Sequence, residues 1–407
     1  MTPTKSKFSV LQQICKYIPE HLVPKLARDF KVDEKCRSYS PWSHVVTMVY
    51  AQLSHALSLN DVCDGLQHHT GNLSTIRRAT APSRNGLSHA NKVRNGDMAE
   101  HLFWDTLQSI QESYPDFSGG RKYCGLPRRF KRMIHIVDST TIQLVANCMN
   151  WAKHRRRKAA AKCHMRLNLQ SFLPNFAVVK SADSSDAAEA EAVCQSIKSG
   201  EIVVFDKAYV DFVHLGKLNQ RGVFFVTRAK DNMKYDVVRP HPESGKNILR
   251  DDDVMLTVPK SKEAYPDPIR LITAEVEVDG KIQPMTFITN NKTWAASSIC
   301  DLYKARWAIE VFFKQLKQTL QLADFLGHNQ NAVRWQIWTA LLTYLLLRLL
   351  AFLSKWKGSF SHLFTLVRGI LWSRFDLFLI IQAYGTAPDP PRMCATPNQA
   401  YLPGFAL

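Results

Sequence analysis

Met133-Ile-His-Ile-Val137-Asp138-Ser-Thr-Thr141 is a mostly apolar run that ends in a carboxylate. A short apolar run bounded by polar residues predicts a buried β-strand. The pattern recurs at Glu201-Ile-Val-Val-Phe205-Asp206. Because strand ends in an α/β sheet open into the ligand crevice, we expect Asp138 and Asp206 to line such a crevice. Each aspartate taken alone is as consistent with a turn or a helix cap.

A third carboxylate, Glu310, lies in a segment with helical spacing. On a helix that turns about 100° per residue, four polar residues share an edge roughly 60° wide: Tyr303, Arg306, Glu310 and Lys317. The apolar side chains fall on a separate face. This edge suits a metal ion held against a phosphate. The alternative is an ordinary surface helix in which Glu310 pairs with Arg306 or Lys314 at i,i+4 spacing.

Three carboxylates gathered at one place need a counter-cation. Mg²⁺ prefers carboxylate oxygens together with substrate phosphate. Two such ions can clamp an in-line displacement at phosphorus. If the fold brings the three acids together, the sequence predicts a site for two Mg²⁺ ions, replaceable by Mn²⁺, on Asp138, Asp206 and Glu310.

The charge of the chain points to a polyanionic partner. The 407 residues carry a formal net charge of +18, and the sequence pI is about 9.5. A field of this sign recruits nucleic acid or an anionic membrane surface. Two basic runs, 128–132 and 153–158, flank the segment that contains Asp138. We read them as a groove for phosphates, because two runs that bracket one site are more than a solvated face.

Cysteine usage and the N-terminus predict a protein of a reducing, cytoplasmic compartment. The nine cysteines are scattered, and no C-x-x-C pair occurs, which argues against a disulfide framework and a zinc knuckle. The N-terminus lacks the apolar core of an export signal. The apolar stretch 335–353 reaches membrane-span length, but Arg348 interrupts it. We expect it to be a buried helix in a protein core or a subunit interface.

The spacing of apolar residues and the charge of residues 1–120 predict a helical, basic unit. Apolar residues recur at helical spacing over 8–18, 42–57 and 97–111, with polar breaks between them. Positive charge lies between the second and third of these helices, at Arg77, Arg78, Arg84, Lys92 and Arg94. We therefore expect a helical DNA-binding domain, although no helix-turn-helix pattern is legible. From residue 132 onward the pattern changes to strands that alternate with helices.

The residues at these positions resemble the DDE transposases of the bacterial insertion-sequence 4 family. Its Y-x2-R-x3-E-x6-K signature is matched in full by Tyr303, Arg306, Glu310 and Lys317. Asp138 in D-S-T and Asp206 in D-x-A-Y match its first two acidic positions. The resemblance covers about 130–330. It implies an α/β fold with a ribonuclease H-like catalytic core, a β-strand-rich insertion, a helical N-terminal DNA-binding domain and a helical C-terminal region.

The resemblance also divides the chain into three domains. The DNA-binding domain is expected at 1–120, and the ribonuclease H-like domain at 121–330 with its insertion at about 224–290. A helical C-terminal region, with a role in dimerisation, is expected at 331–407. Because both ends of an element are cut in one complex, a homodimer on DNA is the expected assembly, with the apolar helices of 335–380 as its candidate interface.

The activity implied by the resemblance is cut-and-paste transposition. The chain would bind the terminal inverted repeats of a transposon and carry out metal-dependent DNA cleavage and strand transfer. Asp138, Asp206 and Glu310 would hold the metal ions, and a phosphate grip would come from Tyr303, Arg306 and Lys317. Relatives stack an extruded base on an aromatic residue of the insertion. Trp294 is a candidate for this role, with core packing as the alternative.

Two other functions share part of this pattern. A non-catalytic regulator that only binds transposon ends is expected to have lost a carboxylate, and all three are present. A ribonuclease H-like nuclease or resolvase without strand transfer would keep the carboxylates but would not need Tyr303, Arg306 and Lys317 together. A membrane protein rests on the stretch 335–353 alone.

Overall fold

The structure is a computed structural model that describes residues 4–34, 36, 38–119, 129–144, 153–154, 158–181, 185–242, 245, 247–278, 280–320 and 325–384. These residues group into two compact units. The first unit takes its residues from 1–119, 142–161 and 313–393, and the second from 120–141 and 162–312. The proline-rich stretch near the C-terminus and Arg155–Arg157 of the second basic run lie outside the described residues.

Helices account for most of the first unit and for part of the second. In chain order they are α1 (Val10–Cys15), α2 (Leu22–Asp29), α3 (Pro41–Ser54), α4 (Leu59–Gln67), α5 (Thr70–Ser74), α6 (Arg84–Val93), α7 (Asp97–Ser113), α8 (Pro115–Gly119), α9 (Asp186–Cys194), α10 (Phe212–Gln220), α11 (Pro259–Ala264), α12 (Ala296–Lys304), α13 (Trp307–Lys314), α14 (Gln330–Leu353), α15 (Phe360–Gly369) and α16 (Leu377–Tyr384). The helices predicted over 8–18, 42–57 and 97–111 are confirmed as α1, α3 and α7.

The strands form one large mixed sheet. They are β1 (Ile134–Leu144), β2 (Lys153–His154), β3 (Lys158–Asn168), β4 (Pro174–Ser181), β5 (Ile202–Phe205), β6 (Phe224–Arg228), β7 (Tyr235–Pro240), β8 (Ile248–Leu256), β9 (Ile269–Val278) and β10 (Lys281–Thr289). Their order is β2-β3-β1-β5-β6-β10-β9-β8-β7, and β4 also pairs with β3. The molecule is thus a mixed α/β protein with a large sheet and many helices, as the alternation of patterns predicted.

Side-chain caps explain where several helices of the first unit begin. Ser40 precedes Pro41, the first residue of α3, and its hydroxyl accepts a hydrogen bond from the Ser43 amide at 3.0 Å. Such caps satisfy amides that have no partner inside the helix, and proline suits the first helical position. Ser58 and Asp61 form a complete capping box at α4.

The apolar helix α14 is a core helix of the first unit. Within its most apolar window, 83% of the residues are buried, and it packs against α3, α6 and α7. Among the described residues it is the one helix long and apolar enough to cross a membrane. Its burial confirms the prediction that the stretch 335–353 is a buried core helix rather than a membrane span. Because its apolar side chains are already covered, a dimer contact made through α14 would require this core to open.

The strands predicted before Asp138 and Asp206 lie next to each other in the second unit. β1 pairs with β5, and β5 pairs with β6, all in parallel. Buried side chains from these strands, including Val137, Phe205 and Phe225, share one apolar core with α9 and α10. The segment 235–289 does not form a separate sheet, because its four strands extend this one through the antiparallel pair β6–β10.

Two details of the predicted elements are wrong. β1 continues past Asp138 to Leu144, so Asp138 is not the end of a strand. The segment 303–317 is not one helix, because α12 ends at Lys304, α13 begins at Trp307, and residues 315–319 form a π-helix. A single turn of 100° per residue therefore does not describe this segment, since π-type bonds join residues five apart, as between the Leu320 amide and the Gln315 carbonyl at 3.2 Å.

Candidate active site

Asp138 and Asp206 lie side by side on neighbouring parallel strands. The paired register of β1 and β5 ends at Val137 opposite Phe205, and each aspartate is the next residue along its strand. Adjacent strands are about 4.8 Å apart, so the two backbones carry their carboxylates at nearly the same level of the sheet. Although β1 continues past Asp138, its pairing with β5 ends one residue before it, at Val137. The two carboxylates therefore lie side by side as predicted, although Asp138 follows the end of a strand pairing and not the end of a strand.

Backbone amides hold one oxygen of each aspartate. The Ser139 amide donates to Asp138 Oδ1 at 2.8 Å, and the Ala208 amide donates to Asp206 Oδ1 at 3.0 Å. The second bond makes Asp206 the N-cap of a short 3₁₀-helix, Lys207–Tyr209. The capping role considered from the sequence is thus present at Asp206, and it leaves Oδ2 of the same carboxylate for other contacts.

Arg306 joins two of the three carboxylates. Its guanidinium donates to Asp138 Oδ2 through Nη1 at 2.5 Å and to Glu310 Oε1 through Nη2 at 2.8 Å. The Arg306 and Asp138 side chains are mostly buried, at 9% and 16% exposure, whereas Glu310 is 41% exposed. The i,i+4 pair considered from the sequence is therefore real, and the same arginine also reaches across 168 residues of chain to β1.

The electrostatics of this cluster favour a bound cation. Burial raises the pKa of Asp138 to about 6, Arg306 and the Ser139 amide oppose the shift, and the charges of Asp206 and Glu310 add to it. Burial would lower the pKa of Arg306, but the nearby acidic groups outweigh it and raise that pKa. At neutral pH most of the Asp138 carboxyl is therefore ionised, beside two further acids that repel it.

Tyr303 lies in the second unit with Arg306 and packs as a buried ring. It is 5% exposed, and its ring centroid lies 5.0 Å from that of Phe287 on β10. The Arg306 guanidinium lies over the Tyr303 ring at 5.7 Å. Burial raises the pKa of the phenol to about 12, so the hydroxyl stays protonated and is a hydrogen-bond donor.

Lys317 belongs to the first unit, unlike the other five predicted site residues. It is half-buried in the π-helix Gln315–Thr319. π-helical turns are rare and often occur at functional sites.

Of the six predicted site residues, the structure brings Asp138, Arg306 and Glu310 into direct contact, with Asp206 and Tyr303 nearby in the same unit.

The donor set fits a hard divalent cation, because carboxylate oxygens are the ligands that Mg²⁺ prefers. Among the described residues, however, no three acidic, histidine or cysteine side chains are gathered closely enough to hold one ion. Arg306 explains this arrangement, since it takes one oxygen from Asp138 and one from Glu310. A metal ion held by all three acids requires the guanidinium to give up at least one of them.

A polar network that the sequence analysis missed lies behind the two aspartates. At its centre is Asp186, which accepts hydrogen bonds from Ser139 Oγ at 2.6 Å and from Lys162 Nζ at 2.8 Å. The fully buried His164 shares a 2.9 Å hydrogen bond with the Tyr209 hydroxyl. Burial opposes ionisation of Asp186, but the bonds from Lys162 and Ser139 outweigh it and lower its pKa.

This network contacts the chain next to each of the two aspartates, Asp138 and Asp206. Ser139 follows Asp138 directly, and Tyr209 ends the 3₁₀-helix that Asp206 caps. Lys162 and His164 stand two positions apart on β3, a spacing that puts both side chains on one face of a strand. That alternation, together with the tyrosine of D-x-A-Y, was the signal available in the sequence. The role of Asp186 depends on a contact across 47 residues, which no local pattern reports.

The structure favours the packing role for Trp294. Its ring lies 5.0 Å from the ring of Phe130 and 5.0 Å from that of Phe224. Its carbonyl accepts a 2.6 Å hydrogen bond from Arg270, and its amide donates to Asn291. A residue held by its backbone and on two sides of its ring is a packing residue first.

Two arginines of the first basic run make contacts within the protein: Arg129 pairs with Asp301, and Arg132 donates to the Gly200 carbonyl.

Comparison with known proteins places these residues in one family. The family model described as Transposase DDE domain matches residues 129–346, which include all six predicted site residues. A second model, Domain of unknown function (DUF4372), matches residues 6–76. The chain is 32% identical over 276 residues to y4zB of Sinorhizobium fredii (strain NBRC 101917 / NGR234), provisionally named a transposase. That match covers 67% of this chain and 76% of the relative.

Two other relatives are transposases of insertion sequences. The probable transposase of IS5377 from Geobacillus stearothermophilus is 28% identical, over 54% of this chain and 57% of its own length. The transposase InsG of IS4 from Escherichia coli (strain K12) is 23% identical, over 45% of this chain and 42% of its own length. The chain thus spans about half the length of these two. It belongs to the DDE-domain transposases of the insertion-sequence 4 type.

Proposed function

We propose that the protein cuts DNA at the ends of its transposable element and joins the freed ends to a target, with Asp138, Asp206 and Glu310 as the ligands of divalent metal ions. One observation carries the proposal. Asp138 and Asp206 stand at the same level on adjacent parallel strands, and Arg306 bonds both Asp138 and the third carboxylate, Glu310. A ribonuclease H-like core is the fold proposed for the second unit, since its central strands β1, β5 and β6 are parallel.

Bound Mg²⁺, or Mn²⁺ in its place, would stabilise the charge that develops on the reacting phosphate. The chain itself supplies the grip on the substrate. Arg306 has a planar fork that binds phosphate oxygens in pairs, and release from Asp138 or Glu310 would turn this fork toward DNA. Its Nε is buried without a hydrogen-bond partner among the described residues, so one donor is already spare. Tyr303 would donate from its protonated hydroxyl, and Lys317 would act as a point charge.

The division of labour along the chain is part of the proposal. The helical residues 1–120 would bind the terminal inverted repeats, the catalytic domain with its strand-rich insertion would span 121–330, and 331–407 would serve dimerisation. A homodimer on double-stranded DNA is proposed because both ends are cut in one complex. The protein would act on DNA in the bacterial cytoplasm, at the nucleoid.

Nicking of a labelled duplex tests the function. The substrate is DNA that flanks the gene and carries its inverted repeats, incubated with purified protein and Mg²⁺ or Mn²⁺. We expect strand cleavage at the repeat with either ion, no cleavage in the presence of EDTA, and no cleavage by Asp138→Ala. A wild-type protein that binds the duplex but never nicks it with either ion would instead be the non-catalytic end-binding regulator. Cleavage without joining to a target would indicate a nuclease.

A further inference from the structure

The first unit contains a segment, 65–96, that begins inside the DUF4372 match, continues into the gap before the DDE match and carries only positive charge. Residues 65–96 include no aspartate or glutamate and contain five cations: Arg77, Arg78, Arg84, Lys92 and Arg94. The DUF4372 match ends at residue 76 and the DDE match begins at residue 129. Most of this segment is therefore assigned to no domain.

The structure separates these five cations into two groups. Arg77 pairs with Glu20 at 3.2 Å, donates to the Ile18 carbonyl at 2.8 Å and lies over the Trp42 ring. Arg94 is 5% exposed and donates to the carbonyls of Tyr39 and Ser40. Both therefore hold the fold together. The other three, on and just before α6, are exposed, and none forms an ion pair within the described part of the chain: Arg78, Arg84 and Lys92.

Helix α6 has one buried face and one polar face. Leu87, Ala90 and Asn91 are buried, and Asn91 shares a 2.8 Å hydrogen bond with His44 beneath the helix. On a regular helix the exposed polar residues fall within an arc of roughly 140°. They are Arg84, Asn85, Ser88, His89 and Lys92. Along the helix axis, this polar face has a cation near each end, Arg84 and Lys92, and neutral hydrogen-bonding side chains between them.

Both ends of α6 are fixed, so the polar face is presented on a rigid element. Ser83 caps the first turn by accepting from the Gly86 amide at 3.1 Å. At the other end, Asn331 and Trp335 of α14 donate to the carbonyls of Lys92 and Arg94, each at 3.1 Å. A recognition helix needs this kind of support, because its side chains must meet base edges in a fixed register.

From this geometry we infer that α6 is the helix that reads the end of the element in the DNA major groove. The ten residues of α6 span about 15 Å, which suits a groove about 12 Å wide. Arg84, Lys92 and Arg78 contact phosphates and set the position of the helix. Asn85, Ser88 and His89 face base edges and supply sequence preference. The partner is duplex DNA, because the face is cationic and its neutral residues are hydrogen-bonding rather than apolar.

The inference rests on the proposed function and is tested separately from it. Full-length variants are compared for binding to a labelled duplex from the DNA that flanks the gene, and to an unrelated duplex of equal length and composition. We expect Arg84→Gln and Lys92→Gln to weaken binding to both duplexes alike and to lower the salt slope by about one for each cation removed. Asn85→Ala and His89→Ala should lower only the preference for the flanking duplex, by roughly tenfold.

Lys25→Gln on α2 is the matched control, because Lys25 is an exposed lysine of the same unit. It should bind both duplexes as the wild type does. Thermal unfolding checks that each α6 variant is folded. We expect all of them to fold, because the substituted side chains are exposed. If the wild type prefers and nicks the flanking duplex and all four α6 variants do the same, the inference fails while the proposed function stands. If the wild type prefers neither duplex, both fail. If the α6 variants lose binding to RNA or to a protein but not to the duplexes, the partner is wrong.

Discussion

Glu310→Gln is expected to lower DNA cleavage by roughly a thousandfold or more while leaving binding to the element end within about twofold of wild type, because a metal ion supplies several kcal/mol of transition-state stabilisation. Glutamine retains the oxygen that accepts from Arg306 Nη2, so the contact at 2.8 Å can persist. What is lost is the charge of the proposed metal ligand. Cleavage of a labelled flanking duplex and its binding by gel shift give the two readouts.

The control for this change is Glu263→Gln on α11, an exposed glutamate of the same unit. It should leave both cleavage and binding unchanged. Equal loss of binding and cleavage in Glu310→Gln would mean that Glu310 holds the structure rather than the metal. Cleavage at the wild-type rate would remove Glu310 from the site altogether.

Arg270→Met is expected to lower the free energy of unfolding by about 3–5 kcal/mol, since breaking a buried ion pair leaves its partner charged and unpaired. Arg270 and Asp251 are 4% and 2% exposed and form two hydrogen bonds, at 2.8 and 2.7 Å. The same guanidinium donates to the Trp294 carbonyl at 2.6 Å. It therefore joins β8 and β9 to the chain that leads into α12. Urea unfolding of the full-length protein, followed by tryptophan fluorescence and circular dichroism, measures the change.

Arg239→Met serves as the comparison for Arg270→Met, because Arg239 is an exposed arginine on β7 of the same sheet. A surface substitution of this kind should change stability by no more than about 0.5 kcal/mol. The double variant Arg270→Met with Asp251→Leu should recover part of the loss, since no unpaired buried charge remains. An Arg270→Met protein as stable as the Arg239→Met protein would show that the buried pair contributes nothing.

Local patterns predicted the elements that carry the candidate site. The apolar runs before Asp138 and Asp206 became β1 and β5, and the apolar stretch 335–353 became the core of α14. These predictions succeeded because strand and helix periods depend on residues close in sequence. The parallel pairing that brings the two aspartates to one level is a long-range property, because the connection between β1 and β5 contains three strands as well as α9.

Other features lay beyond what local patterns contain. The break in the helix at Ala305 and Arg306 and the π-helix at 315–319 depart from regular spacing, and no single residue type announces them. The same limit applies to charge. Arg77, Arg94 and Arg78 look alike in the sequence, but only packing shows that the first two serve the fold and the third is exposed. The Asp186 network likewise needs three elements in place before it can be seen.

The most direct test of the three carboxylates as one metal site is the binding of Mn²⁺ to the complex of the protein with an uncut element end, followed by electron paramagnetic resonance. We expect the wild-type complex to bind two ions. Each of Asp138→Asn, Asp206→Asn and Glu310→Gln should weaken that binding by about tenfold or more, because each removes a charged oxygen ligand. Wild-type Mn²⁺ binding in all three variants would contradict the assignment of the site.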